Sequence, residues 1–261
     1  MAGLLDRIER AQRRRRLERR LLYTCVAALL LIAVLAAVYF FGAGTGSDVA
    51  VVRVEGEILT GDFSNGAYVG SEYVGRELRE AADDPLITAI VLRIDSPGGS
   101  PAAAQEIIRD LEYARERKPV VTSMGDLAAS AAYLIAAHTD RIYLSPDTMT
   151  GSIGVIWLFE DDSEWMENEG QNVEVVKSGD QKDMTSPYRP LTDEERAYAQ
   201  AIVDASFEDF IGDVIAQRPV ERSEIDNARL IRGEEAIAIG LADEEGNLFD
   251  AIRGARALAS S

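Results

Sequence analysis

The stretch LITAIVLRIDSPGGSPAAAQEI, residues 86–107, decides the fold. Its opening run, 86–94, is short and nearly all apolar, with Ile, Leu and Val predominating. A strand with one wet face alternates polar and apolar residues, whereas a short continuous run reads as a parallel strand buried on both faces. Turn residues follow from Asp95 to Gly99. Ser100-Pro101 then sets a capping side chain just before a proline at the first helical turn, the order that opens a helix. Strand, turn and helix in that order is the unit of an α/β domain.

The same alternation extends on both sides. Upstream, residues 49–59 form a β-branched run ending in a Gly/Ser/Asn loop, and 72–82 has helical spacing that stops before Asp84-Pro85. Downstream, the helix opened at Ser100 continues to about Arg117. Residues 120–124 read as a strand, 127–137 as a helix of small residues, and 141–144 and 152–157 as further strands. Residues 160–171 are polar and acidic, which predicts an excursion from the core. Thr192-Asp193-Glu194-Glu195 is a capping box heading a long amphipathic helix to about Gln217. A helix–turn–strand–helix passage closes the chain. The expectation is an α/β domain with a mainly parallel sheet over 49–261.

Before that domain, residues 21–43 read LLYTCVAALLLIAVLAAVYFFGA and carry no charge. Over 20 apolar residues at about 1.5 Å rise cover the roughly 30 Å hydrocarbon core of a bilayer. Tyr23, Tyr39, Phe40 and Phe41 lie near the ends, where aromatic rings favour the interface. A cleaved signal peptide has a shorter apolar stretch, about 7–15 residues. Eight arginines within residues 1–20 predict a cytoplasmic N-terminus and place the rest outside the cell. The expected order is a basic segment (1–20), a transmembrane helix in contact with membrane lipid (21–43), a flexible linker (44–48) and the extracytoplasmic domain (49–261).

The net charge is −18, with 45 acidic against 27 basic residues, and the arginine cluster makes the remainder more acidic still. Nucleic-acid binding needs basic patches, so it is not expected. Lysine is scarce. A strongly acidic, lysine-poor surface suits high salt, where ions screen its self-repulsion, and points to a halophilic source. One cysteine, Cys25, and one histidine, His138, leave no material for an internal disulfide or a Cys/His zinc site. No metal or cofactor is expected.

The same scarcity bounds the chemistry. A Ser–His–Asp triad needs the imidazole within hydrogen-bond reach of the serine. His138 follows Ser130 by eight residues on the expected helix, which sets them about 12 Å apart along its axis. Cys25 falls within the apolar run. What remains is a serine activated by lysine, whose ordinary pKa of about 10.4 must be offset before it can act as a base. Lys118, at a helix-to-strand turn, Lys177 and Lys182 are the available lysines.

Three segments together resemble the signal peptide peptidase A family, membrane-bound serine proteases that share a fold with Clp protease and crotonases. They are IDSPGGSPAAAQEI (94–107), VVTSMGDLAASAAYLIAA (120–137) with TGSIGVI (150–156), and VKSGDQKDMTSPYRPLTDEER (176–196). A weaker match, RLIRGEEAIAIGLADEEGNLFDAI, spans 229–252. The resemblance implies Ser130 as nucleophile, Lys182 as general base, and Ser152 as the serine that hydrogen-bonds the lysine. It implies Gly99 and Ala131 as the oxyanion-hole donors. The 52-residue gap from Ser130 to Lys182 is similar to that of the family's half-length form. Where the family has Ser-Gly-Gly, this chain has Ser130-Ala131-Ala132, which retains the N–H provided that position does not need a positive φ. Lys177 then reads as a near-site or structural residue, Asp95 and Asp183 as turn stabilisers, and Asp126 as a cap for the helix carrying Ser130. The implied substrates are remnant signal peptides and other short or unfolded chains, and the implied assembly is a homo-oligomeric ring whose active sites can draw on neighbouring subunits. A catalytically silent relative and a crotonase-type acyl-CoA enzyme are the alternative readings.

Overall fold

The computed structural model describes residues 23, 24, 26, 28–34 and 48–261. The chain divides into two compact units, Met1–Ser47 and Asp48–Ser261. In the first, the described residues are helical and exposed. No helix among the described residues is long and apolar enough to cross a membrane. The basic segment expected at 1–20 lies outside the described residues, and so do most of the expected anchor and linker.

In chain order the second unit runs β1 (Val49–Glu55), β2 (Glu57–Leu59), β3 (Tyr68–Gly70), α1 (Ser71–Asp83), β4 (Ala89–Ser96), α2 (Pro101–Arg115), β5 (Val120–Ala129), α3 (Ala131–Ala137), β6 (Arg141–Leu144), β7 (Met149–Gly151), α4 (Ser163–Asn168), α5 (Asp193–Gln217), α6 (Arg222–Ile225), β8 (Leu230–Arg232), α7 (Gly233–Ala238), β9 (Glu244–Glu245) and α8 (Leu248–Ala259). The main sheet has the order β1-β4-β5-β6-β9, with β7 also on β5 and β8 on β7. Its ladders are parallel except β7–β8. Strands β2 and β3 form a separate parallel pair. This mixed α/β architecture with a mostly parallel sheet fits a Clp protease-like fold.

The lack of alternation in β4 has a direct cause. Ile90, Leu92 and Ile94 pack in the large core with α1, α2 and α3, while Ala89 and Val91 join Val49, Val121, Tyr143 and the Ala251 and Ala255 of α8 on the other face. Full burial of each large side chain stabilises the domain by about 1.5–3 kcal/mol. Both expected caps form. Ser100 Oγ accepts the Ala103 N–H at 3.4 Å. Thr192 Oγ1 accepts from the Glu195 N–H at 3.2 Å, and Glu195 Oε2 accepts from the Thr192 N–H at 2.9 Å.

Two expectations are corrected around the centre of the sheet. The small-residue stretch from 127 does not enter a helix at once: β5 runs on to Ala129, because Leu127, Ala128 and Ala129 pair with Met149, Thr150 and Gly151 of β7. Asp126 accordingly lies within β5 and caps no helix. The apolar run 152–157 is not a strand, since the ladder ends at Gly151 and the chain leaves the sheet there. From that point to residue 191 the only helix is α4, so the excursion is longer than the acidic stretch 160–171 alone indicated.

Candidate active site

Strand β5 is the branch point that builds the site. Its first half, Val121–Ser123, pairs with β6, and its second half, Leu127–Ala129, with β7. Ser130 follows at once and is the N-cap of α3, with φ 54° and ψ −127°. That is a strained conformation for a residue with a side chain, tolerated only where its surroundings hold it. Here the Ser130 N–H donates to the Gly151 carbonyl at 2.8 Å, and its carbonyl accepts the Leu134 N–H at 3.0 Å to start α3. Gly98, at φ 103°, lies against the elbow: a Cβ on it would stand 2.9 Å from both the Ala129 carbonyl oxygen and the Ser130 Cβ. A side chain at 98 would displace the serine.

Two backbone amides border the same hollow as Ser130. Gly99 is bridged to Ile58 through its neighbours, the Ile58 N–H donating to the Gly98 carbonyl and the Ser100 N–H to the Ile58 carbonyl, each at 2.8 Å. This pattern turns the N–H of Gly99 itself away from Ile58. A Cβ on Gly99 would fall 2.1 Å from the Ile58 oxygen, so only glycine fits. Ala131 is the first residue of α3, and its N–H has no carbonyl four residues back within the helix. The positive φ falls on Ser130 and not on Ala131 or Ala132. The backbone condition for alanine at these two positions is therefore met.

The hollow measures about 260 Å³ and is lined by Gly99, Ser130, Ala131 and Leu134, by Val155 and Ile156 after β7, and by Ser206, Asp209, Phe210 and Asp213 of α5, among others. The lining on α5 was not foreseen. No apolar stripe signals it, since among Ser206, Asp209, Phe210 and Asp213 only Phe210 is apolar.

Ser152 sits one residue beyond the Gly151 peptide that holds Ser130. It has φ 48°, and its N–H donates to the Arg229 carbonyl at 2.9 Å. Lys182 stands apart from this group. It is exposed, in the turn around 180–185, and lines an open hollow with Lys177, Arg189 and Glu194. No residue lines both hollows. Within one copy of the chain, the structure brings Ser130, Gly99 and Ala131 to one hollow, with Ser152 next to the Gly151 peptide that holds Ser130, and Lys182 lines another.

The turn carrying Lys182 is fixed by Asp183. This nearly buried carboxylate takes hydrogen bonds from Lys177 Nζ at 2.6 Å, Arg189 Nη2 at 2.7 Å and Tyr188 Oη at 2.8 Å. Arg189 also clamps Glu195 through both terminal nitrogens, at 2.7 and 2.8 Å. Arg189 first, and then Lys177, holds the Asp183 carboxyl well below the usual carboxylate range. Arg189 and the Thr192 backbone N–H lower Glu195 to about 2. The two acids in turn push the Arg189 guanidinium up. Lys177 is thus a structural partner of Asp183. Asp95 does not stabilise a turn: it lies within β4, and its Oδ1 accepts the Leu127 N–H of β5 at 3.1 Å, where the register between the two strands shifts.

His138 is the C-cap of α3, at the end of the helix opposite Ser130. Its Nε2 lies 3.2 Å from Asp213 Oδ2. Among the described residues, no group of three or more His, Cys, Asp or Glu side chains is placed to hold a metal ion.

Comparison with known proteins identifies the family. Residues 112–261 match the model of Peptidase family S49. The chain is 34% identical over 221 residues to Protease 4 of Salmonella typhi, covering 83% of this chain and 35% of that protein. It is 33% identical over 222 residues to the putative protease slr0021 of Synechocystis, covering 84% and 77%. It is 31% identical over 180 residues to a putative signal peptide peptidase SppA of Enterococcus faecium, covering 67% and 52%. The chain thus spans about a third of the first of these relatives and half of the last. With the family model matched over more than half of its length, the chain belongs to Peptidase family S49, the signal peptide peptidase A family that its motifs resemble.

Proposed function

We propose that this chain is a membrane-anchored serine endopeptidase with Ser130 as nucleophile, Lys182 as general base and the Gly99 and Ala131 N–H groups as oxyanion hole. The observation that carries this reading is Ser130 itself, held at φ 54° on a strand-to-helix elbow beside a hollow that both amides border. Fixed donors aimed at developing charge are the largest single source of rate in acyl transfer.

Neutral Lys182 takes the Ser130 proton as Oγ attacks a peptide carbonyl, and the two amides bind the oxyanion. The protonated lysine then gives that proton to the leaving amine, the C–N bond breaks, and an acyl-serine remains. Water, deprotonated by the same lysine, hydrolyses the ester. Because Lys182 and Ser130 line separate hollows in one copy, the lysine is supplied by a neighbouring copy in a homo-oligomeric ring. Two features support that arrangement. The Lys182 turn is braced by Asp183 and Arg189, and the same excursion exposes Ile156, Leu158, Trp165 and Val176. Apolar surface of that kind, left to water in a lone copy, suits burial against another chain. Ser152, beside the elbow, then hydrogen-bonds the incoming lysine.

The uncharged apolar run 21–43 and the arginines before it support an active site on the outer face of the membrane. The substrates proposed are remnant signal peptides and other short or unfolded chains, in keeping with the name of the Enterococcus relative. The acidic, lysine-poor surface fits a halophilic setting. The test is peptide hydrolysis by the full chain in detergent. Ser130→Ala and Lys182→Ala are each silent, and mixing the two restores part of the activity, because a mixed ring contains junctions with one intact serine and one intact lysine. A mixture as silent as its components sinks the shared site.

A further inference from the structure

We propose that the hollow beside Ser130 is a side-chain pocket that selects a cationic residue, lysine or arginine, at the position donating the scissile carbonyl. The inference rests on Ser130 being the nucleophile. At about 260 Å³ the cavity is smaller than the roughly 300–1,000 Å³ usual for a whole small-molecule ligand and is suited to one extended side chain. Gly99, Ser130 and Ala131 are among its lining residues, so it adjoins the position that the acyl group must take.

Its walls divide into two kinds. Leu134, Val155 and Phe210 offer apolar surface, which suits a methylene stem. Asp209 and Asp213, one turn apart on the same face of α5, add two carboxylates, and no lysine or arginine lines the hollow. His138 pairs with one of them, its Nε2 lying 3.2 Å from Asp213 Oδ2. A protonated His138 offsets at most one of the two charges, and its Nδ1 already faces Glu112 at 3.9 Å. The pocket therefore stays negative in either state of the imidazole. A leucine would fill only the apolar part and leave both carboxylates to water, whereas an ammonium or guanidinium reaches them.

The experiment compares kcat/KM for matched peptides carrying lysine or norleucine at that position, using the full-length chain in detergent, with Ser130→Ala as control. The expected lysine preference is roughly tenfold, the scale of one charge-assisted hydrogen bond to a half-exposed carboxylate. That ratio falls as salt screens the pair. Asp209→Asn, at an exposed helix position, and Asp213→Asn each lower it. Cleavage that depends on Ser130 but favours norleucine, or a ratio that neither asparagine variant moves, overturns the pocket assignment while leaving the peptidase reading intact. No Ser130-dependent cleavage of any peptide overturns both.

Discussion

The Ser130 N–H donates to the carbonyl of Gly151 at 2.8 Å, and this bond joins the elbow to the end of β7. It extends the parallel β5–β7 ladder by one residue, so the serine is held by the sheet and not by a loop. The tight fit of Gly98 and Gly99 against their neighbours completes the frame.

Gly99→Ala puts a Cβ 2.1 Å from the Ile58 oxygen, at a φ of 150°. The bridge between Gly99 and β2 must open. A loss of about 1–3 kcal/mol in stability is expected, as for other overpacked positions, together with loss of peptidase activity. Chemical denaturation and hydrolysis assays on the same preparation check both.

Ala131→Pro deletes the proposed oxyanion donor. Proline at the first helical position costs no helical hydrogen bond, but it restricts the residue before it, and Ser130 stands at φ 54° and ψ −127°. A fall in kcat of about 10²–10³-fold is expected, together with a lower melting temperature. Activity kept at the parent level would remove Ala131 from the hole.

Acid should loosen the Lys182 turn before the sheet. Asp183 and Glu195 are held below their ordinary values in the folded chain, chiefly by Arg189. In the unfolded chain such carboxyls take up protons near pH 4, so their contribution is complete above about pH 4 and is lost as pH falls from there toward about 2. Denaturation midpoints measured from pH 6 to 2 should decline less steeply in Arg189→Met than in the parent. Parallel curves would show that the cluster is not the source.

His138→Gln tests the exclusion of a histidine triad. The amide can keep the bond to Asp213, and the side chain sits at the far end of α3 from Ser130. Activity within about threefold of the parent is expected, against the roughly 10⁴-fold loss that follows disabling of a triad.

The sequence showed most where local chemistry was decisive. The run ending at Ile94, the Ser100-Pro101 start and the Thr192–Glu195 box all became the elements their residues specify, because burial on two faces and capping are read within a few residues. The stretch LAASAA from Leu127 was harder, since small residues suit strand or helix and the choice was made by β7, a partner about 20 residues away. The apolar residues 152–157 resembled a strand but have no partner to pair with. Arg189 joining Asp183 to Glu195, and the stripe of α5 beside Ser130, depend on how the 152–191 excursion returns to the core. Ser130, Gly99 and Ala131 line one hollow. Lys182 lines a separate hollow within one copy, a placement set by how the excursion returns and not by the residues around it.

The most direct test of the Ser130–Lys182 dyad is to locate a fluorophosphonate adduct by mass spectrometry on the full chain. The expected result is one adduct on Ser130 whose rate of formation rises with pH, absent in Ser130→Ala and lost in Lys182→Ala. An unlabelled parent chain, or labelling of Ser130 that persists in Lys182→Ala, would contradict the dyad.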